Sequence, residues 1–144
     1  MKIKVINRSK HILPEYSTLT SAGIDLRADL EREPLTKPLK RILVTKSLLP
    51  EIPIDYETQI RPGSSHAVKN EITVLNSQGS INADHRGEVC VILVNLSGEK
   101  FVIKNGESIC RMIIAKREKA EWISTDSILD TKRGNGGFGY KDKI

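Results

Sequence analysis

The apolar residues of this chain come in short runs, and most of those runs lack the spacing of a helix. Seven stretches stand out: Lys2–Asn7, Arg41–Leu48, Tyr56–Arg61, Ile72–Leu75, Val89–Asn95, Phe101–Ile103 and Ser108–Lys116. They are rich in β-branched residues, and several alternate polar with apolar positions. Period two puts successive side chains on opposite faces of a pleated strand. Turn formers separate the runs at Ser21-Ala22-Gly23, Glu33-Pro34, Asn76-Ser77-Gln78-Gly79, Ser97-Gly98 and Asn105-Gly106. Many short strands at this spacing predict an all-β sandwich or barrel. One segment, Ser64–Asn70, reads as a short helix with Ser64 or Ser65 as its N-cap.

A chain of 144 residues fits one domain and buries a core without staples. No apolar stretch approaches the roughly 20 residues that cross a bilayer. The start, Met1 to Ile6, alternates polar and apolar residues and lacks the apolar core of a secretory signal, so a cytoplasmic location is expected. Cys90 and Cys110 each lie inside an apolar run and read as buried thiols rather than a disulfide. The three histidines, His11, His66 and His85, show no ligand spacing, so no protein-held metal is expected.

Net charge is +5 with a pI near 9.3. That excess suits a polyanionic ligand, nucleic acid or a nucleotide's phosphates, and equally a solvated basic surface. Aromatic residues make up only 4%, which gives single strands a poor stacking platform and makes nucleic acid an unfavoured partner. Composition changes once, dividing a β domain over 1–131 from an arm over 132–144. The arm is glycine-rich, basic and poor in apolar residues, the composition of a flexible end or a binding arm.

Five short segments, in order, resemble the five motifs of the deoxyuridine triphosphatase (dUTPase) family. They are Ala22-Gly23-Ile24-Asp25-Leu26, Arg61–Ile72, Gly79–Val89, Gly106–Met112 and Arg133–Gly139. The resemblance implies a jelly-roll-like β subunit with one short helix and a C-terminal arm that closes over the site. It also implies a homotrimer whose sites draw on more than one subunit. The family splits deoxyuridine triphosphate (dUTP) into the monophosphate (dUMP) and pyrophosphate. A third-motif carboxylate activates the water that attacks the α-phosphorus, and Mg²⁺ is held mainly by the substrate's phosphates.

The scaffold positions match this pattern better than the chemical ones do. Asp25 is the first-motif aspartate that supports the site. In the second motif Gly63 stands where the family has a phosphate-binding arginine, followed by Ser64, then Ser65 for glycine and His66 for leucine. Ser64 keeps a hydroxyl and Lys69 a charge. Glu71 occupies a usual glycine position after the helix, which predicts altered local geometry. Gly63-Ser64-Ser65 also faintly resembles the related deoxycytidine-triphosphate deaminases, but Val89–Asn95 lacks the glutamate that deamination needs.

In the third motif, Gly79-Ser80-Ile81-Asn82-Ala83-Asp84-His85-Arg86-Gly87, Asn82 replaces the water-activating aspartate and His85 the tyrosine that packs on deoxyribose. Asn76 and Gly79 match positions about the uracil pocket. Arg111 replaces a phosphate-contacting glutamine, and an arginine there either strengthens anion binding or blocks the pocket. Arg133 and Phe138 match arm positions that meet phosphate and base, while Tyr140 and Lys141 replace small hydroxyl residues.

An amide orients a water but accepts no proton, and general-base help is worth about 10²–10⁴ in rate. The sequence therefore predicts a homotrimer that binds a deoxyuridine nucleotide or related anion, with hydrolysis impaired or lost. Two alternatives stay open: an active dUTP diphosphatase using Asp84 or His85, and a non-catalytic regulatory or nucleic-acid-binding trimer.

Overall fold

The computed structural model describes residues 1–138, which form eleven strands and one helix. The strands are β1 (Lys4–Asn7), β2 (Ile24–Arg27), β3 (Leu35–Thr36), β4 (Arg41–Thr45), β5 (Leu48–Glu51), β6 (Tyr56–Pro62), β7 (Ile72–Val74), β8 (Gly79–Ile81), β9 (Cys90–Asn95), β10 (Phe101–Val102) and β11 (Ser108–Lys116). Helix α1 spans Ser64–Asn70. The all-β prediction with one short helix holds.

All strand pairs are antiparallel. One sheet runs β2-β11-β6-β8, a second β4-β9-β7, and two ribbons pair β1 with β5 and β3 with β10. The inward residues of the two larger sheets meet in a single cluster that includes Leu26, Val44, Ile60, Val74, Val91, Leu93, Ile109 and Cys110. Their spacing is mostly the period-two pattern of the sequence, which buries one face and leaves the other for solvent, and the adjacent Ile109 and Cys110 are both buried where the register of β11 shifts against β2. Cys90 and Cys110 are free thiols, half-buried and buried respectively.

Several boundaries differ from the sequence reading. The run Arg41–Leu48 covers β4 and only the first residue of β5, because Ser47 takes a left-handed φ of 52° and turns the chain between the two strands. The Glu88 carboxylate accepts the backbone N–H groups of both Lys46 and Ser47, so the break is satisfied rather than frayed. The short strands β2, β3 and β8 escaped notice; β3 and β8 are too brief to show a period. The N-cap of α1 is Gly63, without a side-chain hydrogen bond, and not Ser64 or Ser65.

Lys46 follows the inward alternation of Val44 and Leu48 and is itself buried, 1% exposed. Its Nζ has no hydrogen-bond partner among the described residues. Burial lowers its pKa from 10.5 to about 8, and the neighbouring Cys110, Cys90 and Asp29 only partly oppose that shift. Below pH 8 the folded state thus carries a buried ammonium ion that the unfolded state would solvate. Between the folded value and 10.5 the unfolded chain binds the extra proton, so stability rises with pH.

Cys110 acts in the opposite sense. Burial raises its thiol from 9.0 to about 11, so the folded state retains a proton that the unfolded state loses, and stability falls above pH 9. Denaturant unfolding should therefore show stability increasing from about pH 8 to pH 9 and then levelling. Lys46→Met should abolish that rise and stabilise the protein at pH 7 by roughly 3 kcal/mol. A flat parent profile, or a rise retained by Lys46→Met, would refute this account of the buried amine.

Candidate functional site

The chain leaving β7 turns through Asn76–Gln78 and returns as β8, which pairs with β6 through Ile60↔Gly79 and Thr58↔Ile81. Gly79 permits the close return: a Cβ there would lie 3.0 Å from Asn76 Nδ2. After β8 the chain turns again, with the His85 N–H donating to the Asn82 carbonyl at 3.1 Å. The Arg86 guanidinium donates to the carbonyls of Ala83 and His85 and braces this loop.

Around the two turns lies a cavity of about 550 Å³ lined by Asn76, Gly79, Asn82, Asp84, His85 and Glu88, with Ile60 and Val91 as apolar wall. The His85 ring sits over Gly87, where a Cβ would approach it to 2.8 Å, so this glycine makes room for the imidazole. Asp84 enters no hydrogen bond or ion pair among the described residues. Five residues singled out in the sequence are thus brought together. They offer an amide, a free carboxylate, an imidazole and an apolar wall, the mix a polar ring on a charged chain would need.

Asp25 and Arg111 lie elsewhere. Asp25 on β2 is the direct cross-strand partner of Arg111 on β11. Arg111 Nε donates to Asp25 Oδ1 at 3.0 Å, and the Ser17 hydroxyl donates to Oδ2 at 3.2 Å. Both side chains are substantially exposed, so the pair contributes at most about 1 kcal/mol to stability and chiefly fixes orientation. They line a second cavity of about 270 Å³ that shares no residue with the first.

Helix α1 follows directly on β6. Ser64, its first residue, lines neither cavity. Gly63 is extended, and a Cβ added there would meet nothing within 4 Å. His66 was missed as a structural element. Its Nε2 lies 3.0 Å from the Ser108 carbonyl and 3.5 Å from Glu107, and its ring meets Phe101 edge-on at 5.7 Å. The histidine thus fastens α1 to β10 and β11.

The altered geometry expected at Glu71 is not found. Glu71 takes the left-handed conformation itself, at φ 53°, and its N–H caps the helix through the His66 carbonyl. The helix end needs that conformation whichever residue supplies it.

Beyond β11 the chain to residue 138 joins no strand, and Arg133 and Phe138 line neither cavity. Arg133 Nε donates to the Gly136 carbonyl at 2.8 Å, closing a tight turn in which Gly134 has φ 52°. Phe138 is exposed. The end of the fifth motif, Gly139 with Tyr140 and Lys141, lies outside the described residues.

Residues 9–141 match the dUTPase family. The chain is 44% identical over 140 residues to the deoxyuridine 5'-triphosphate nucleotidohydrolase of Finegoldia magna, covering 97% of this chain and 98% of that protein. It is 47% identical over 140 residues to the protein of that name from Rickettsia massiliae, covering 96% and 94%. Among solved structures it resembles the Staphylococcus bacteriophage 80alpha dUTPase with dUPNHPP, at TM-score 0.86 and 18% identity over 96% of this chain and 97% of that one. The dUTPase from phage phi11 of S. aureus gives a TM-score of 0.79 at 16% identity, over 89% and 98%. These two likenesses establish the fold.

A left-handed glutamate carries a strain of about 1–2 kcal/mol that glycine avoids, less the entropy glycine loses on folding. Glu71→Gly should therefore raise the unfolding free energy by about 0.5–1 kcal/mol, whereas Glu71→Ala should give no gain. Thermal unfolding of the two variants measures the difference.

Proposed function

The chain belongs to the dUTPase family, and we propose that it is a dUTP diphosphatase that uses Asp84 as base where Asn82 cannot serve. The observation that supports this most is the shared lining of one cavity by Asn82, Asp84 and His85, with the Asp84 carboxylate unpartnered among the described residues. Relatives that carry the nucleotidohydrolase name, matched over 98% and 94% of their length, support the hydrolase part of this reading.

In this reading Asn76 and the backbone around Gly79 receive the uracil, and His85 packs against the deoxyribose. Asn82 holds a water by hydrogen bonding. Asp84 takes its proton as the water oxygen bonds to the α-phosphorus, while the bond to the bridging oxygen breaks and pyrophosphate leaves. His85 is a second candidate base within the cavity, since the unprotonated nitrogen of a neutral imidazole accepts a proton.

Magnesium would enter on the substrate. Among the described residues no group of three or more His, Cys, Asp or Glu is placed to hold an ion. Mg²⁺ is commonly bound through substrate phosphates, few carboxylates and water, so the donor set fits an ion carried in this way. Bound there, it would neutralise phosphate charge.

The second reading, a nucleotide-binding protein that has lost hydrolysis, is favoured by Asn82 alone, because an amide accepts no proton. Pyrophosphate release from dUTP with Mg²⁺ separates the two. The parent should turn over slowly, Asp84→Asn should lose a further 10²–10⁴-fold or so, and Asn82→Asp should gain. A silent parent beside an active Asn82→Asp variant would leave only the second reading. Silence from both would remove the hydrolase reading, and the second would then stand or fall on a direct titration with dUTP.

The working unit is proposed to be a homotrimer. After β11, Trp122, Ile123, Ile128 and Leu129 are all exposed on a segment that joins no strand of its own chain. Apolar groups on such a segment gain by packing on another copy. A trimer would also allow the two separate cavities to meet across a subunit boundary. Sedimentation equilibrium should give a trimer mass for the parent and a smaller species for Trp122→Glu combined with Ile128→Glu. A monomeric parent would overturn the assembly.

A further inference from the structure

Across the four-stranded sheet the register places three charged residues in one row. Arg111 of β11 stands opposite Asp25 of β2 on one side and opposite Arg61 of β6 on the other. Residues directly opposite on antiparallel strands share a face, with Cβ atoms about 4.5–5.5 Å apart, and like charges so placed repel. Asp25 accepts from Arg111 at Nε. Arg61 uses one Nη on Gln59 Oε1, at 2.6 Å, and pairs with no carboxylate among the described residues. A guanidinium has five N–H donors, so both retain donors for another partner.

Both arginines line the 270 Å³ cavity, where Ser17 and Ser21 add hydroxyls. Arg61 and Gly63 lie two residues apart on continuous extended chain and so share a face. The arginine that the family places at position 63 is absent here, but Arg61 and Arg111 supply two planar forks to the same face.

We infer that Arg61 and Arg111 form a clamp for the phosphate chain of a nucleotide, substituting for the arginine missing at Gly63. The inference rests on the nucleotide reading above and extends it to the phosphate end of the site. Paired guanidinium groups present parallel N–H donors that match phosphate oxygens. A bound polyphosphate would also relieve the repulsion between them.

Inorganic tripolyphosphate is the probe, because it has the charge and oxygen spacing of the chain but neither base nor sugar. Calorimetric titration at constant ionic strength should show binding by the parent and roughly tenfold weaker binding by Arg61→Gln, the loss of one charged hydrogen bond. Adding Gly63→Arg to Arg61→Gln should recover the affinity, since a Cβ added at 63 meets nothing within 4 Å. Exposed Lys69 on α1 is the control for general basic attraction, and Lys69→Gln should bind like the parent.

No tripolyphosphate binding by the parent would overturn the clamp. So would unchanged binding by Arg61→Gln, an equal loss in Lys69→Gln, or a failure of Gly63→Arg to restore affinity. Unfolding midpoints close to the parent's confirm that each variant folds; should Arg61→Gln fail this, Arg61→Lys serves in its place, with partial loss expected. Binding of tripolyphosphate without any dUTP turnover would remove the hydrolase reading and leave the clamp intact.

Discussion

The backbone ladder of β11 holds the most in this structure. Nine residues, Ser108–Lys116, pair with β2 on one side and β6 on the other, so this strand closes the hydrogen bonds of two others. Its inward residues Ile109 and Cys110 join the core, while Arg111 on the outward face stands between Asp25 and Arg61. A one-residue slip of β11 would exchange those faces, burying a guanidinium and exposing the core. The register that stabilises the fold is therefore also what brings the charged row together, and the site gains its precision from backbone pairing.

The same constraint explains what the protein tolerates elsewhere. Lys46 sits at an inward position with an amine unpartnered among the described residues, an arrangement that costs stability at neutral pH. The chain keeps its path there because Glu88 accepts both N–H groups at the break between β4 and β5. Where the backbone is satisfied, one poor side chain is a local cost and leaves the fold unchanged. Glu71 makes the same point at the end of α1, holding a left-handed conformation because the helix must stop before β7 begins.

How much of this could be read from the sequence depended on what each feature rests on. The longer strands were legible because alternation over six or more residues is a direct image of a half-buried pleat, and Ser108–Lys116 was placed to the residue. Strands of two or three residues carry no period; β7 and β10 were legible from their apolar β-branched and aromatic residues, whereas β3 and β8 hold too few of these to stand out. The residues from Asn76 to His85 line one cavity because one pair of turns joins them within ten positions. The pairing of Asp25 with Arg111, 86 residues apart, follows from strand register, which a lone sequence does not display. His66 looked like a flaw in a motif. Its value depends on Ser108, Glu107 and Phe101, which only the folded chain brings near.

Read together, the departures from the family pattern move charge more than they remove it. A guanidinium is absent at Gly63, but one has been gained at Arg111 beside Arg61, on the same sheet face. A carboxylate is absent at Asn82, but Asp84 remains on the wall of the same cavity. Electrostatic stabilisation depends on where donors point more than on which strand carries them, so a relocated arginine can still meet a phosphate. Proton abstraction is less forgiving, because a base must lie within hydrogen-bond reach of one particular water. Under the proposed hydrolase reading, phosphate binding survives these exchanges more fully than the chemical step, and the rate of hydrolysis is where an amide at position 82 is felt.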